Sequence, residues 1–305
     1  AGALDDNTSA MQTLTVSVAP LDDPPVPVTP NYSIDDGEPL RLDASGSSDP
    51  DTLFPGDVLK YSWDLDGDGT FDIIDQLSSI IDVPHATLQQ LNLTVPGDNT
   101  ITLRVTDTFQ GASVDATATL SILTVDYGDA PDSFGTLKAS GGAAHTIVSG
   151  FYLGSSVDAE SDGQTDDGAD EDGIVFEAGI QAGTVIDIDS FFTATASAAG
   201  KLDIWVDFDM SGTFEATEHL NDGTSYDLVQ GDNLFNFTID AGRATTGVNT
   251  AVRARFSSTG GLSPVGRAND GEVEDHVVLF SDLLNAVAVQ SVLPAHPQTS
   301  DATPT

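Results

Sequence analysis

Apolar and polar residues alternate with a period of two along most of this chain. Leu14, Val16 and Val18 alternate with Thr13, Thr15 and Ser17. Leu40 and Leu42 flank Arg41, and Leu59, Tyr61 and Trp63 share a face. Ile101, Leu103 and Val105 alternate with threonines and Arg104, and Ala118, Leu120 and Ile122 with Thr119 and Ser121. Further on, Leu202, Ile204 and Val206 oppose Asp203, Trp205 and Asp207. Phe235, Phe237 and Ile239 alternate with Asn236 and Thr238, and Val252, Ala254 and Phe256 with Arg253 and Arg255. This period belongs to strands that bury one face. Turn pairs such as Asp36-Gly37, Ser45-Gly46, Pro96-Gly97 and Gln110-Gly111 separate the strands. The pattern predicts an all-β chain of two tandem β-sandwich domains, over residues 26–124 and 125–281. Residues 1–25 hold one strand and a linker, and residues 282–305, with Pro294, Pro297 and Pro304, read as a linker or tail.

Two stretches break the alternation in the same way. After Trp63 come Asp64, Asp66 and Asp68 at alternate positions, then Gly69, Thr70, Asp72 and Asp75. After Trp205 come Asp207, Asp209, Ser211, Gly212, Thr213, Glu215 and Glu218. Each run fills positions 1, 3, 5, 6, 7, 9 and 12 of a calcium loop. Oxygen donors alternate, a glycine makes the sharp turn, and position 7 offers a backbone carbonyl. A polar Asp/Gly turn between strands is the plainer alternative, but such a turn needs no carboxylate at every other position. No helical pattern flanks either loop, so neither is half of a paired EF-hand. A third acidic run opens with the same spacing at Asp158, Glu160 and Asp162, with Asp166 at position 9. Eight acids and no base lie between Asp158 and Asp172, so metal binding there competes with a simple solvated loop. Ca²⁺ is the expected cofactor.

Charge agrees with that chemistry. The chain of 305 residues has 49 acidic and 9 basic residues, for a net charge of −40. This excludes nucleic acid as a partner, since phosphate binding needs clustered Lys and Arg. It also disfavours anionic membrane surfaces, and no apolar run is long enough for membrane insertion. Such charge repels itself unless cations neutralise it. There is no cysteine, so disulfides and thiolate metal sites are excluded. Calcium would serve as the staple of a chain working outside the cell.

The sequences Leu42-Asp43-Ala44-Ser45-Gly46-Ser47-Ser48-Asp49-Pro50-Asp51, Tyr61-Ser62-Trp63-Asp64 and Leu103-Arg104-Val105-Thr106-Asp107 resemble the polycystic-kidney-disease-type (PKD) module. That resemblance implies an immunoglobulin-like sandwich with Trp63 buried in it. Asp126-Tyr127-Gly128-Asp129-Ala130-Pro131-Asp132, Asp170-Glu171-Asp172-Gly173, the Trp205 loop and Asp270-Gly271-Glu272-Val273-Glu274-Asp275-His276 are similar to the bacterial surface-protein domain named for its Gly-Glu-Val-Glu-Asp (GEVED) signature. This implies location, on large secreted bacterial proteins, more than activity. The strand at Leu14 with Asp22-Asp23-Pro24-Pro25 resembles the end of a cadherin-like repeat.

No nucleophile elbow, zinc-protease helix motif or phosphate-binding loop is present. His85, His145, His219, His276 and His296 stand alone in sequence and read as surface or packing residues. The expectation is therefore a non-enzymatic, calcium-stabilised structural or adhesive segment of a secreted or cell-surface protein. Its partners would be neighbouring domains of the same polypeptide or other copies of itself. Two alternatives stay open. One is a subunit of an extracellular fibre, assembled by donor-strand addition through residues 1–20. The other is an accessory module of a secreted hydrolase that binds surface polymers, which a row of exposed aromatics on one sheet would favour. Asp129 and Asp132, at the start of the second domain, would meet Glu272, Glu274 and Asp275 around a cation and clamp its first strand to its last, or else the two motifs are separate turns.

Overall fold

A computed structural model of the chain describes residue 14 and residues 23–50, 57–109, 111–163, 171–176, 179–183 and 187–282. The chain divides into two compact units. The first comprises the described residues up to 32 and those within 39–93 and 98–121. The second takes residues 33–38, 94–97 and the described residues from 122 to 282. The strand expected at Leu14–Val18 lies, apart from Leu14 itself, outside the described residues.

The first seven strands are β1 (Tyr32–Asp35), β2 (Leu40–Asp43), β3 (Leu59–Asp64), β4 (Ile73–Gln76), β5 (Ile80–Val83), β6 (Gly97–Asp107) and β7 (Ser113–Leu123), with one short helix, α1 (His85–Gln90). They form a five-stranded sheet of order β1-β7-β6-β3-β4 and a two-stranded sheet β2-β5. The alternation decides the layers. Tyr61 and Trp63 of β3, Ile101, Leu103 and Val105 of β6 and Leu120 of β7 are all buried. So are Leu40 and Leu42 of β2 and Val83 of β5. Trp63 is fully enclosed, paired in register with Leu103. Tyr32 joins the two sheets. Its ring stands edge-on to Trp63 at 6.2 Å. Its hydroxyl donates to the Asp43 carbonyl at 3.1 Å and accepts from the Asp43 amide at 2.9 Å. Strands β3 and β4 are antiparallel, with a register shift between Tyr61 and Trp63, and the first carboxylate loop is the turn that joins them.

The second unit contains β8 (Val125–Tyr127), β9 (Ala144–Thr146), β10 (Ile174–Val175), β11 (Ile180–Ala182), β12 (Ile188–Ala196), β13 (Gly200–Val206), β14 (Tyr226–Leu228), β15 (Gly231–Ile239), β16 (Asn249–Ser257), β17 (Arg267–Ala268) and β18 (Glu272–Asp282). A five-stranded sheet, β11-β18-β16-β13-β14, and a three-stranded sheet, β10-β12-β15, share one apolar core. The first contributes Leu202, Ile204, Val206, Val252, Ala254, Phe256 and Phe280; the second contributes Phe192, Ala194, Phe237 and Ile239.

The other face of the larger sheet departs from a simple two-layer sandwich. Asp203, Trp205, Arg253 and Arg255 point away from the core, yet each is at most 2% exposed. A third sheet, β17-β9-β8, and the loops around it cover this face with polar contacts in place of apolar ones. Close packing there explains Gly271. Its φ is +95°, and an added Cβ would lie 1.8 Å from the Phe256 carbonyl oxygen, so only glycine fits.

Candidate metal centres

Both carboxylate loops begin where a central strand ends. Asp64 closes β3 and is 4% exposed. Gly67 and Gly69, at positive φ, let their amides turn back onto it, at 2.8 and 2.9 Å from its two oxygens. Asp66 accepts from the Asp68 amide at 3.1 Å, Asp68 from Thr70 at 2.7 Å, and Asp72 from Leu65 at 2.8 Å. The folded turn brings carboxylate oxygens of Asp64, Asp66 and Asp72 within 4.8 Å of one another. Asp68 stands outside that group. So does Asp75, which sits in β4 with φ +52° and lies 3.8 Å from the Lys60 ammonium. Thr70 contributes its amide to the turn. Burial, together with the like charges of Asp66, Asp64 and Asp68, pushes the Asp72 carboxyl above its ordinary range, against the pull of the Leu65 amide.

The second loop follows β13. Asp207 is 4% exposed and accepts from the Ser211 and Gly212 amides at 3.0 and 3.1 Å. Its own backbone is held by β16, with its amide donating to Ala251 and its carbonyl accepting from the Thr250 hydroxyl. Asp209 accepts from Ser211 at 2.9 Å. Glu218 returns to the start of the loop and accepts from the Phe208 amide at 2.7 Å and the Glu215 amide at 3.1 Å. Asp207, Asp209 and Glu218 place carboxylate oxygens within 4.8 Å of one another. Glu215 turns aside, accepting from the Thr213 and Ser211 hydroxyls at 2.5 and 3.1 Å. Burial pushes the Asp207 carboxyl up, and burial with the Glu215 contact pushes Glu218 up to about 7. His219, the next residue, packs edge-on to Trp205 at 4.7 Å and meets Asp203 at 3.0 Å, which fixes the loop's far end to β13.

The donor chemistry of both groups suits a hard cation. Every convergent side chain is a carboxylate, with no nitrogen or sulfur donor among them. Asp207 and Glu218 are both buried beside like charge, an arrangement that costs energy unless a cation or protons neutralise it.

The acidic run behaves differently. Glu160 accepts from the Tyr127 amide at 2.9 Å, and Asp162 from the Lys138 and Gly163 amides at 2.6 and 2.9 Å. Among the described residues, Asp158, Glu160 and Asp162 do not form a group of three convergent oxygens. Asp166 lies outside the described residues.

The signature at Glu272–Asp275 does bring the two ends of the unit together. Asp275 accepts from the Ala130 amide at 2.8 Å, and Asp126 from the Val273 amide at 2.6 Å. Glu272 accepts from Leu153 and Glu274 from Gly173, residues more than 100 positions away. The cation in this clamp is Arg253. It donates Nε and Nη2 to Asp275 at 2.7 and 2.6 Å, Nη2 to the Thr136 hydroxyl, and Nη1 to the carbonyls of Phe134, Gly135 and Pro264. Asp132 takes no part, being turned to Leu137 and Ser140. Alternation points Arg253 to a carboxylate on the neighbouring strand but hides its contacts to the Phe134, Gly135 and Pro264 carbonyls.

Residues 201–279 match the GEVED domain family. No curated protein matches the chain. Among solved structures, three N-terminal domains of the bacteriophage RB49 highly immunogenic outer capsid protein (Hoc) are 11% identical, with 85% of this chain and 71% of that one covered and a TM-score of 0.33. The D00-D0 domain of intimin is 12% identical over 85% of this chain and 100% of its own, at a TM-score of 0.29. A nucleoside hydrolase-related hypothetical protein from Saccharophagus degradans, associated with carbohydrate metabolism, is 27% identical over 33% of this chain, at a TM-score of 0.25. This chain spans 26% of the length of that protein.

Proposed function

We propose that this chain is a non-enzymatic, calcium-stabilised structural or adhesive segment of a secreted or cell-surface protein, its first unit a PKD-type module. One observation carries the reading. Two independent loops, each hung on a central strand beside a buried tryptophan, gather three carboxylates apiece. Calcium at Asp64, Asp66 and Asp72, and at Asp207, Asp209 and Glu218, relieves their mutual repulsion and ties each loop to the sandwich beneath it. Neighbouring oxygens on Asp68, Thr70, Ser211 and Thr213 belong to the same turns and suit the high coordination number of this ion. The match to the GEVED domain supports the second unit as a module of this kind. The absence of cysteine leaves cations as the natural staple. No helix among the described residues is long and apolar enough to cross a membrane.

Polymer binding is the second reading. A groove of about 530 Å³ runs over the outer face of β10-β12-β15, lined by Val175, Gln181, Asp189, Phe191, Asp232 and Leu234. Phe191 is the one aromatic ring exposed in it, at 55%, among the described residues, whereas a polymer platform calls for a row of rings. Fibre assembly by donor-strand addition rests on residues 1–20, nearly all outside the described residues.

Thermal unfolding tests the main reading. In low-salt buffer with EDTA, both units should melt several degrees lower than in millimolar Ca²⁺, and restored calcium should return both transitions. Identical melting curves with and without calcium would refute it.

A further inference from the structure

The third layer of the second unit contains a histidine that fixes its own protonation state. His145, on β9, is fully buried. Its Nε2 faces Arg255 Nε at 3.0 Å, and its Nδ1 faces the Asp270 carbonyl at 2.7 Å. A guanidinium can only donate, so Nε2 must accept, and Nδ1 must carry the proton it gives to Asp270. The remaining Arg255 donors are also used. Nη1 serves the Ser263 and Val265 carbonyls, and Nη2 those of Ala144 and Gly266. Arg255 is thus a buried cation bonded to neutral groups, and His145 is one of its five acceptors.

We propose that the His145–Arg255 contact is an acid-sensitive latch: a proton on Nε2 removes the acceptor, sets two cations against each other, and releases the 258–270 loop from β9. The surrounding charges reinforce this. Arg253, also on β16, adds to the repulsion of a second cation, while Asp126 on β8, Asp203 on β13 and Asp275 on β18 act through space in favour of Arg255. Asp126 is the register neighbour of His145 and has a carboxylate oxygen on the Val273 amide. The Asp270 carboxylate is turned to Ser258. Burial, with Arg255 next, holds His145 well below its ordinary 6.5, and burial, with Arg253, lowers Arg255 to about 10.

The sign follows from linkage. The unfolded chain takes up a proton near pH 6.5 that the folded unit refuses, so His145 adds no penalty above that pH and an increasing one below it. The test has two arms, both on the full chain saturated with calcium. In the first, ¹⁵N spectra of the wild-type imidazole should show protonated Nδ1 and bare Nε2, with no titration between about pH 7.5 and pH 5.5. A midpoint near the free-histidine value, or a protonated Nε2, with the 258–270 segment still seated on β9 would overturn the latch. In the second, urea unfolding is followed across the same range for wild type and His145→Gln, whose amide oxygen keeps an acceptor for Arg255. The ratio of their unfolding constants should grow about tenfold for each pH unit below 6.5 in favour of wild-type unfolding. The other histidines cancel in that ratio, so a flat ratio also overturns the latch. If the variant fails to fold, the spectra of the wild type decide alone.

Discussion

Replacing Arg253 with methionine should cost the second unit about 3–5 kcal/mol, the usual penalty for breaking a buried ion pair from one side. At the size of this unit that is a fall of about 10 °C in its melting temperature. Asp275 is 3% exposed at its side chain and would be left buried without its cation. The carbonyls of Phe134, Gly135 and Pro264 would lose their donor together. Arg253→Lys should restore less than half of the loss, because one ammonium cannot span a bidentate carboxylate and three carbonyls. Calorimetry that resolves two transitions checks this, as only the transition of the second unit should move. A shift under 1 kcal/mol would mean that the clamp between residues 126–136 and β18 is incidental.

The second large effect concerns the loop after β13. Asp207→Ala removes a carboxylate from the Asp207, Asp209 and Glu218 group, and with it the acceptor of the Gly212 amide and one of the two acceptors of the Ser211 amide. In millimolar calcium the second unit of this variant should melt no higher than wild type does in EDTA. The loss is about 3 kcal/mol if calcium is normally present at 100 times its dissociation constant. Adding EDTA to the variant should then leave that transition in place, while the first unit still responds through Asp64. If EDTA lowers the second transition of Asp207→Ala as far as it does in wild type, the ion sits elsewhere.

Ile101, Leu103 and Val105 announce a strand because that strand buries one face, and the all-β architecture follows from such rows. The Asp64 and Asp207 turns are legible because alternate carboxylates and glycines act on their own backbone within a few residues. Legibility stops where the chain returns from a distance. Asp72 rather than Asp75 joins the first group because Asp75 has already entered β4. Arg253 and Arg255 alternate with core residues, as solvent-facing side chains do. Only the third sheet and its loops make them buried, and part of that cover, from β9 and the Phe134–Thr136 turn, lies more than 100 residues away in sequence. Arg253 does pair with a carboxylate on the adjacent strand, as its position suggests, whereas Arg255 gives its hydrogen bonds to carbonyls and to His145. Glu160 and Asp162 carry the spacing of a metal loop, and their oxygens also accept from the amides of Tyr127 and Lys138, contacts that spacing does not encode.

Counting the ions tests the central claim most directly. Native mass spectrometry of the calcium-saturated chain, with isothermal titration of the EDTA-treated chain, should find one strongly bound Ca²⁺ for each of the two carboxylate groups, with one lost in Asp64→Ala and the other in Asp207→Ala. A chain that binds no calcium at millimolar concentration, or that keeps its full complement in both variants, would contradict the account.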